Sequence, residues 1–214
     1  MPMQTILTDD PCVPACAVAE RINRQLASGQ PVLWLLSGGS AIGTAVAASH
    51  LIKPNPLLCV SLADERYGQP GHSESNFRQL LAAGFDLPIV PILNGGVVER
   101  EARNFARFLL DHQSDYRIGI FGMGTDGHTA GILPNSMATA DTDDLVFFYS
   151  GAKFERITTT PHFLAGLDSA HLWAQGLDKS PQLAQLQKDD EPIKQPVQFL
   201  KMAQEFIIYT TLNP

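Results

Sequence analysis

The sequence predicts an α/β fold of three layers, helix–sheet–helix, built on a mostly parallel sheet. Three observations predict it. Short apolar runs of strand length alternate with longer stretches patterned as helices, the signature of βαβ units. Residues 31–36 form a continuous apolar run, as a strand buried on both faces does. Glycine- and serine-rich breaks stand where strand gives way to helix. The 214 residues, 44% of them hydrophobic, suffice for one large domain with a substantial core. No repeat, low-complexity tract or linker divides the chain, so residues 1–214 read as one unit.

Asp10-Pro11 supplies an N-cap and first-turn proline for a helix that runs to Ser28 and stops at Gly29. Residues 31–36 are the first strand. Ser37-Gly38-Gly39-Ser40 breaks it, and a helix pattern resumes over 41–51. Residues 57–62 are the next strand, ending at Asp64-Glu65-Arg66. Residues 73–83 read as helix capped by Ser73, 89–93 as strand, and 98–111 as a charged amphipathic helix. Residues 117–121 are a further strand. Two more strands are expected at 145–149 and 171–174, with helical segments near 161–167 and 181–187. Residues 187–195 are polar and charged, a solvated loop, and 205–210 form the last strand.

Composition narrows the function. A net charge of −7 argues against a nucleic-acid partner, which needs a broad basic surface. It leaves room for an anionic small molecule, because a few placed Arg or Lys suffice. No run approaches the roughly 20 apolar residues of a membrane span. The first ten residues lack a basic region followed by an apolar one, so the expectation is a cytoplasmic protein without a signal peptide. Three cysteines, Cys12, Cys16 and Cys59, are too few and odd for a disulfide framework and fit a reducing compartment. Cys12 and Cys16 share a face if helical, yet no further ligand stands at a familiar spacing, and they read as ordinary thiols. The six histidines form no H-x-x-x-H pair, so no metal is implied. A nucleophile elbow G-x-S-x-G is also missing.

In a parallel sheet the ligand site lies beyond the carboxyl ends of the strands. Three unusual segments are expected there. Ser37-Gly38-Gly39-Ser40 could turn backbone N–H groups toward an anion at a helix start, or be a plain tight turn. Arg66 could grip a phosphate bidentately, or pair with Asp64 or Glu65. Asp64, His72 and Asn76 have side chains suited to a ligand. The third segment, Gly122-Met-Gly-Thr-Asp-Gly127, spells G-x-G-x-x-G, the dinucleotide fingerprint. That motif wants an acidic residue closing a second strand about 20 positions on. Asp141, Asp143 and Asp144 precede their strand instead, and the motif lies past mid-chain. The alternative is that Gly122, Gly124 and Gly127 bend the chain to present His128, an acid–base group near neutrality, with Asp126 beside it.

These segments, in this order, resemble the 6-phosphogluconolactonase family, which shares its fold with glucosamine-6-phosphate deaminase. The match covers Leu36-Ser-Gly-Gly-Ser40, Asp64-Glu-Arg66 with the stretch from His72 to Asn76, Gly122-Met-Gly-Thr-Asp-Gly-His-Thr-Ala130, Arg156-Ile-Thr158 and Gly176-Leu-Asp-Lys179. The resemblance implies a Rossmann-like sheet and hydrolysis of 6-phosphoglucono-1,5-lactone, a phosphorylated sugar lactone, with no cofactor. It makes His128 the general base and gives phosphate and sugar to the glycine loop, Arg66, Arg156 and Lys179. The deaminase pattern G-H-x-A-F-N-E-P has a glutamate where Leu133 stands, and D-E-Y where this chain has Asp64-Glu-Arg66. Both differences favour the lactonase. Departures from the lactonase pattern are Thr125 for proline, Gly131-Ile-Leu133 for S-L-F, and Asn135 for glycine. The sequence leaves a homo-oligomer open.

Overall fold

The computed structural model describes residues 3–151 and 153–212, so the two ends of the 1–214 unit lie outside the described residues. The strands are β1 (Gln4–Leu7), β2 (Val32–Leu36), β3 (Leu58–Leu62), β4 (Asp64–Arg66), β5 (Tyr116–Gly122), β6 (Val146–Ser150), β7 (Glu155–Thr159), β8 (Ser169–Trp173) and β9 (Glu205–Thr210). The helices are α1 (Cys12–Ala27), α2 (Ile42–Ser49), α3 (Asn76–Ala82), α4 (Val98–Asp111), α5 (Pro161–Ala165) and α6 (Ser180–Leu186).

Six strands form a wholly parallel sheet in the order β1-β9-β8-β5-β2-β3. Every residue of β2 and β8 is buried, so the sheet is covered on both faces, as the apolar runs require. Helix α1 packs against α2 and lies over β2, β5 and β8. Its buried residues, among them Ala15, Val18, Ala19, Ile22 and Leu26, recur at three and four, which sets one stripe on the sheet. The chain leaves β2 toward β3 on one side and β5 toward β8 on the other. The crevice between β2 and β5 is therefore a topological switch point, where such sheets bind ligands.

A second sheet differs from expectation. Strands β4, β7 and β6 form an antiparallel trio, in that order. The expected strand at 145–149 belongs here and not to the main sheet. Asp64-Glu-Arg66, read as a loop end, is a strand because it pairs with β7, Asp64 opposite Thr158 and Arg66 opposite Arg156.

Residues 89–93 are not a strand. Pro91 removes an N–H from the run, and only a single bridge, Ser61 to Val90, joins it to β3. The helix expected from Ser73 begins at Asn76, and its cap is Ser75, whose Oγ accepts the Arg78 N–H at 3.2 Å. Asp10 Oδ1 accepts the Cys12 N–H at 2.8 Å, as expected of a residue opening α1. Among the described residues no helix is long and apolar enough to cross a membrane. Cys12 and Cys16 are exposed, and Cys59 is half-buried.

Candidate active site

Four strand ends supply the site. At the end of β2, the Ser37 N–H bonds Ile120 O at 3.1 Å, and the chain then tightens into a short 3-10 turn, Gly39–Ala41, that opens α2. The first N–H groups of such a start lack intrahelical acceptors and sit at the positive end of the helix dipole. Only glycine fits at position 38, since a Cβ there would lie 2.1 Å from Asn76 Oδ1. Ser37 Oγ is buried and unpartnered.

Beyond β3 the chain passes into β4, which sets Asp64 and Arg66 in the wall. Asn76 Nδ2 donates to Asp64 O at 3.0 Å and to Asp64 Oδ2 at 3.2 Å. Arg156 Nη1 approaches Asp64 Oδ2 at 3.7 Å. Burial pushes the Asp64 carboxyl up, and the charges of Arg156, Arg66 and His128 oppose that push. Arg66 Nη1 donates to Glu74 O at 2.8 Å. Both guanidinium groups sit over the Phe154 ring, at 5.5 Å for Arg66 and 6.0 Å for Arg156, and the Nε of each is buried without a partner.

At the end of β5 the chain folds back on itself. Gly127 N–H bonds Gly124 O at 3.0 Å, and Gly124 N–H bonds His128 O at 2.9 Å. A Cβ on Gly124 would fall 2.2 Å from His128 Nδ1, so the glycine is what lets the ring lie there. Asp126 Oδ1 accepts from the His128 N–H at 3.1 Å and pairs with its Nδ1 at 2.6 Å. Burial opposes ionisation of Asp126, but the His128 N–H and imidazole outweigh it and hold the carboxyl below its usual range. Beyond β8, Lys179 is buried with Ser40 Oγ at 3.4 Å and no closer polar partner among the described residues. Burial pulls its ammonium down from the ordinary lysine value, against the nearby Asp178 charge.

Together these segments enclose a cavity of about 360 Å³, within the range of small-ligand sites. Ser37, Gly38, Gly39, Ser40, Asp64, Arg66, Asn76, Gly124, His128, Arg156 and Lys179 all line it. Asp126 and Gly127 do not reach the wall and stand behind His128. His72 is not in the wall either; its Nε2 contacts Arg66 O at 2.9 Å and ties down that loop. Sequence reasoning missed Thr129, Ala130 and Gly131 as lining residues, although they follow directly on His128. It also missed Glu65, whose carboxylate accepts from Arg66 N, Ser75 Oγ, Asn76 N and Phe77 N at 2.7–3.0 Å. Among the described residues no three His, Cys, Asp or Glu gather as a metal site would need. The arrangement can bind an anion on three cations and move a proton at His128.

The family model described as glucosamine-6-phosphate isomerases/6-phosphogluconolactonase matches residues 14–209. A 6-phosphogluconolactonase of Nostoc sp. is 30% identical over 168 residues, covering 71% of this chain and 69% of that protein. One from Helicobacter pylori is 27% identical over 150 residues, a match that spans 64% of each chain. The solved 6-phosphogluconolactonase of Thermotoga maritima superposes with a TM-score of 0.80 at 22% identity, covering 98% of this chain and 99% of that one. That of Shewanella baltica gives 0.79 at 22%, covering 97% of each. The structural likeness establishes a shared fold, and the sequence matches go further: the chain belongs to the glucosamine-6-phosphate isomerase/6-phosphogluconolactonase family.

Proposed function

We propose that the chain hydrolyses 6-phosphoglucono-1,5-lactone to 6-phosphogluconate in the oxidative pentose phosphate pathway, with His128 as general base. The observation that carries this reading is the 2.6 Å pair of Asp126 Oδ1 and His128 Nδ1 at a cavity walled by Arg66, Arg156 and Lys179. With Nδ1–H donated to Asp126, Nε2 is the nitrogen that accepts a proton. The relatives named above carry the same activity in their names.

A lactone is an activated ester, so water attacks it directly. The water oxygen bonds to the carbonyl carbon, its proton passes to His128 Nε2, and the carbonyl electrons move onto the carbonyl oxygen. Collapse re-forms the carbonyl and breaks the bond to the ring oxygen, which takes the proton from His128. The products balance as one lactone and one water giving one hydroxy acid. Acid–base help of this kind contributes roughly 10²–10⁴-fold. The rest comes from anchoring the phosphate and stabilising the oxyanion. The Gly38–Ser40 amides, Arg66, Arg156 and Lys179 serve the phosphate and sugar through charge-assisted bonds.

Leu133, at the position of the deaminase glutamate, packs its half-buried side chain against the core and brings no carboxylate to the cavity. The test is a coupled lactonase assay, corrected for spontaneous opening, with glucosamine 6-phosphate as counter-substrate. Lactone turnover without ammonia is expected. Ammonia release would make the chain a deaminase, and inertness toward both would make it a binding protein.

A further inference from the structure

Two backbone amides of the cavity wall, those of Ala130 and Gly131, have no acceptor among the described residues, and the second sheet fixes the peptide that carries the second of them. Ile132 N–H bonds Thr129 O at 2.8 Å, closing a two-residue turn directly after His128. Both central residues are left-handed, Ala130 at φ +47° and Gly131 at φ +70°. Such turns favour Asn-Gly. An alanine holds this conformation only where its surroundings impose it, and imposed strain gathers at functional sites.

The surroundings that impose it are two hydroxyls. Thr158 Oγ1, on β7, donates to the Ala130 carbonyl. The Tyr149 hydroxyl, on β6, donates to Gly131 O at 2.7 Å and accepts the Leu133 N–H at 3.2 Å. A trans peptide points its N–H opposite to its carbonyl. With the Ala130 carbonyl drawn toward β7, the Gly131 N–H faces the other way, and both residues line the cavity. Thr158 is fully buried and lies opposite Asp64 in the β4–β7 pair, so its hydroxyl is fixed by the same sheet that fixes the wall.

We propose that the amides of Ala130 and Gly131 receive the oxyanion of the tetrahedral intermediate, and that Thr158 is the positioning residue that aims the Gly131 N–H, while the turn's own bond from Ile132 N–H to Thr129 O orients the peptide of Ala130. This rests on the lactonase reading and adds the electrostatic half of its mechanism. The hydroxyl of Thr158 touches no substrate; it acts through the peptide it holds.

Two measurements test it. Thr158→Val keeps the shape and removes the donor. It is expected to lower kcat about tenfold or more, given what misplacing oxyanion donors costs, with KM and the pH profile unchanged and with Thr158→Ser restoring the rate. A wild-type kcat in the valine variant, or a loss confined to KM, overturns the assignment. The second uses the wild-type chain. Its Gly131 amide proton should shift downfield on binding 6-phosphogluconate, whose carboxylate takes the place of the oxyanion, and not on binding glucose 6-phosphate. An unmoved Gly131 amide with 6-phosphogluconate bound also overturns it. If the wild-type chain leaves the lactone intact, the lactonase reading falls separately, and the amide shift still decides whether these donors face a carboxyl oxygen.

Discussion

In the proposed mechanism His128 serves as base in only one tautomer, and the Asp126 carboxylate favours that tautomer. The carboxylate sits 2.6 Å from Nδ1 and stays ionised because the His128 backbone and ring favour its charge. His128→Ala is expected to lower lactonase kcat more than tenfold while affinity for 6-phosphogluconate, read by calorimetry, is largely kept. Asp126→Asn is the sharper probe. Its amide can present an N–H to Nδ1 and so favour the tautomer with the proton on Nε2, where it blocks base action. Loss of kcat with KM retained is the expected result; unchanged turnover in His128→Ala would remove His128 from the mechanism, and unchanged turnover in Asp126→Asn would remove Asp126 as the group that sets its tautomer. That His128 reaches the cavity was legible in the sequence, because glycines just after a strand end let the chain turn a side chain to the rim. Ala130 and Gly131 were not, since their contribution is a backbone direction and no side-chain type encodes it.

At the level of elements, the parallel sheet was legible because continuous apolar runs have few other uses. The small antiparallel sheet was not. Asp64-Glu-Arg66 has no apolar alternation to mark a strand, and its identity comes from pairing with β7, where the partners stand 90 to 94 positions further along the chain. The opposite error at 89–93 has an equally physical cause, the donor missing at Pro91. Glu65 joins these scales. Burial pushes its carboxyl up, while four donors favour its charged form and staple the start of α3 to β4, which in turn sets Asn76 beside Asp64. Glu65→Gln would turn an amide N–H₂ toward those donors. A cost of roughly 1–3 kcal/mol is expected from groups left unpaired, read as a lower urea midpoint at unchanged m-value. An unmoved midpoint would show that the four contacts are dispensable.

Across the whole molecule, the cavity and the buried network beneath α1 handle polar groups in opposite ways. The carboxyl end leaves Ser37 Oγ and the Arg66 and Arg156 Nε atoms unpartnered around the cavity. Beneath α1 lies a satisfied network. Arg21 pairs with Glu205 at 2.6 Å, Glu205 accepts from Ser169 at 2.8 Å, and His171 lies between Ser169 Oγ and the Tyr209 hydroxyl, 3.0 Å from each. Burial, helped by the Arg21 charge and opposed by Glu205, holds the His171 imidazole down to about 3. In the unfolded chain a histidine titrates near 6.5. Above that pH both states are neutral and stability is complete. Below it the unfolded chain takes up a proton that the fold refuses, so stability falls by up to about 1.4 kcal/mol per pH unit. Asp64 and Glu65, raised by burial, act in the opposite sense as pH drops, so the contribution of His171 is read against a variant. Between pH 7 and pH 5 the wild-type chain is expected to lose about 2 kcal/mol relative to His171→Asn, measured by urea unfolding at each pH. A difference that stays flat across that interval would mean that His171 carries its proton inside the fold, and that the network beneath α1 holds a cation the geometry gives no carboxylate to meet directly.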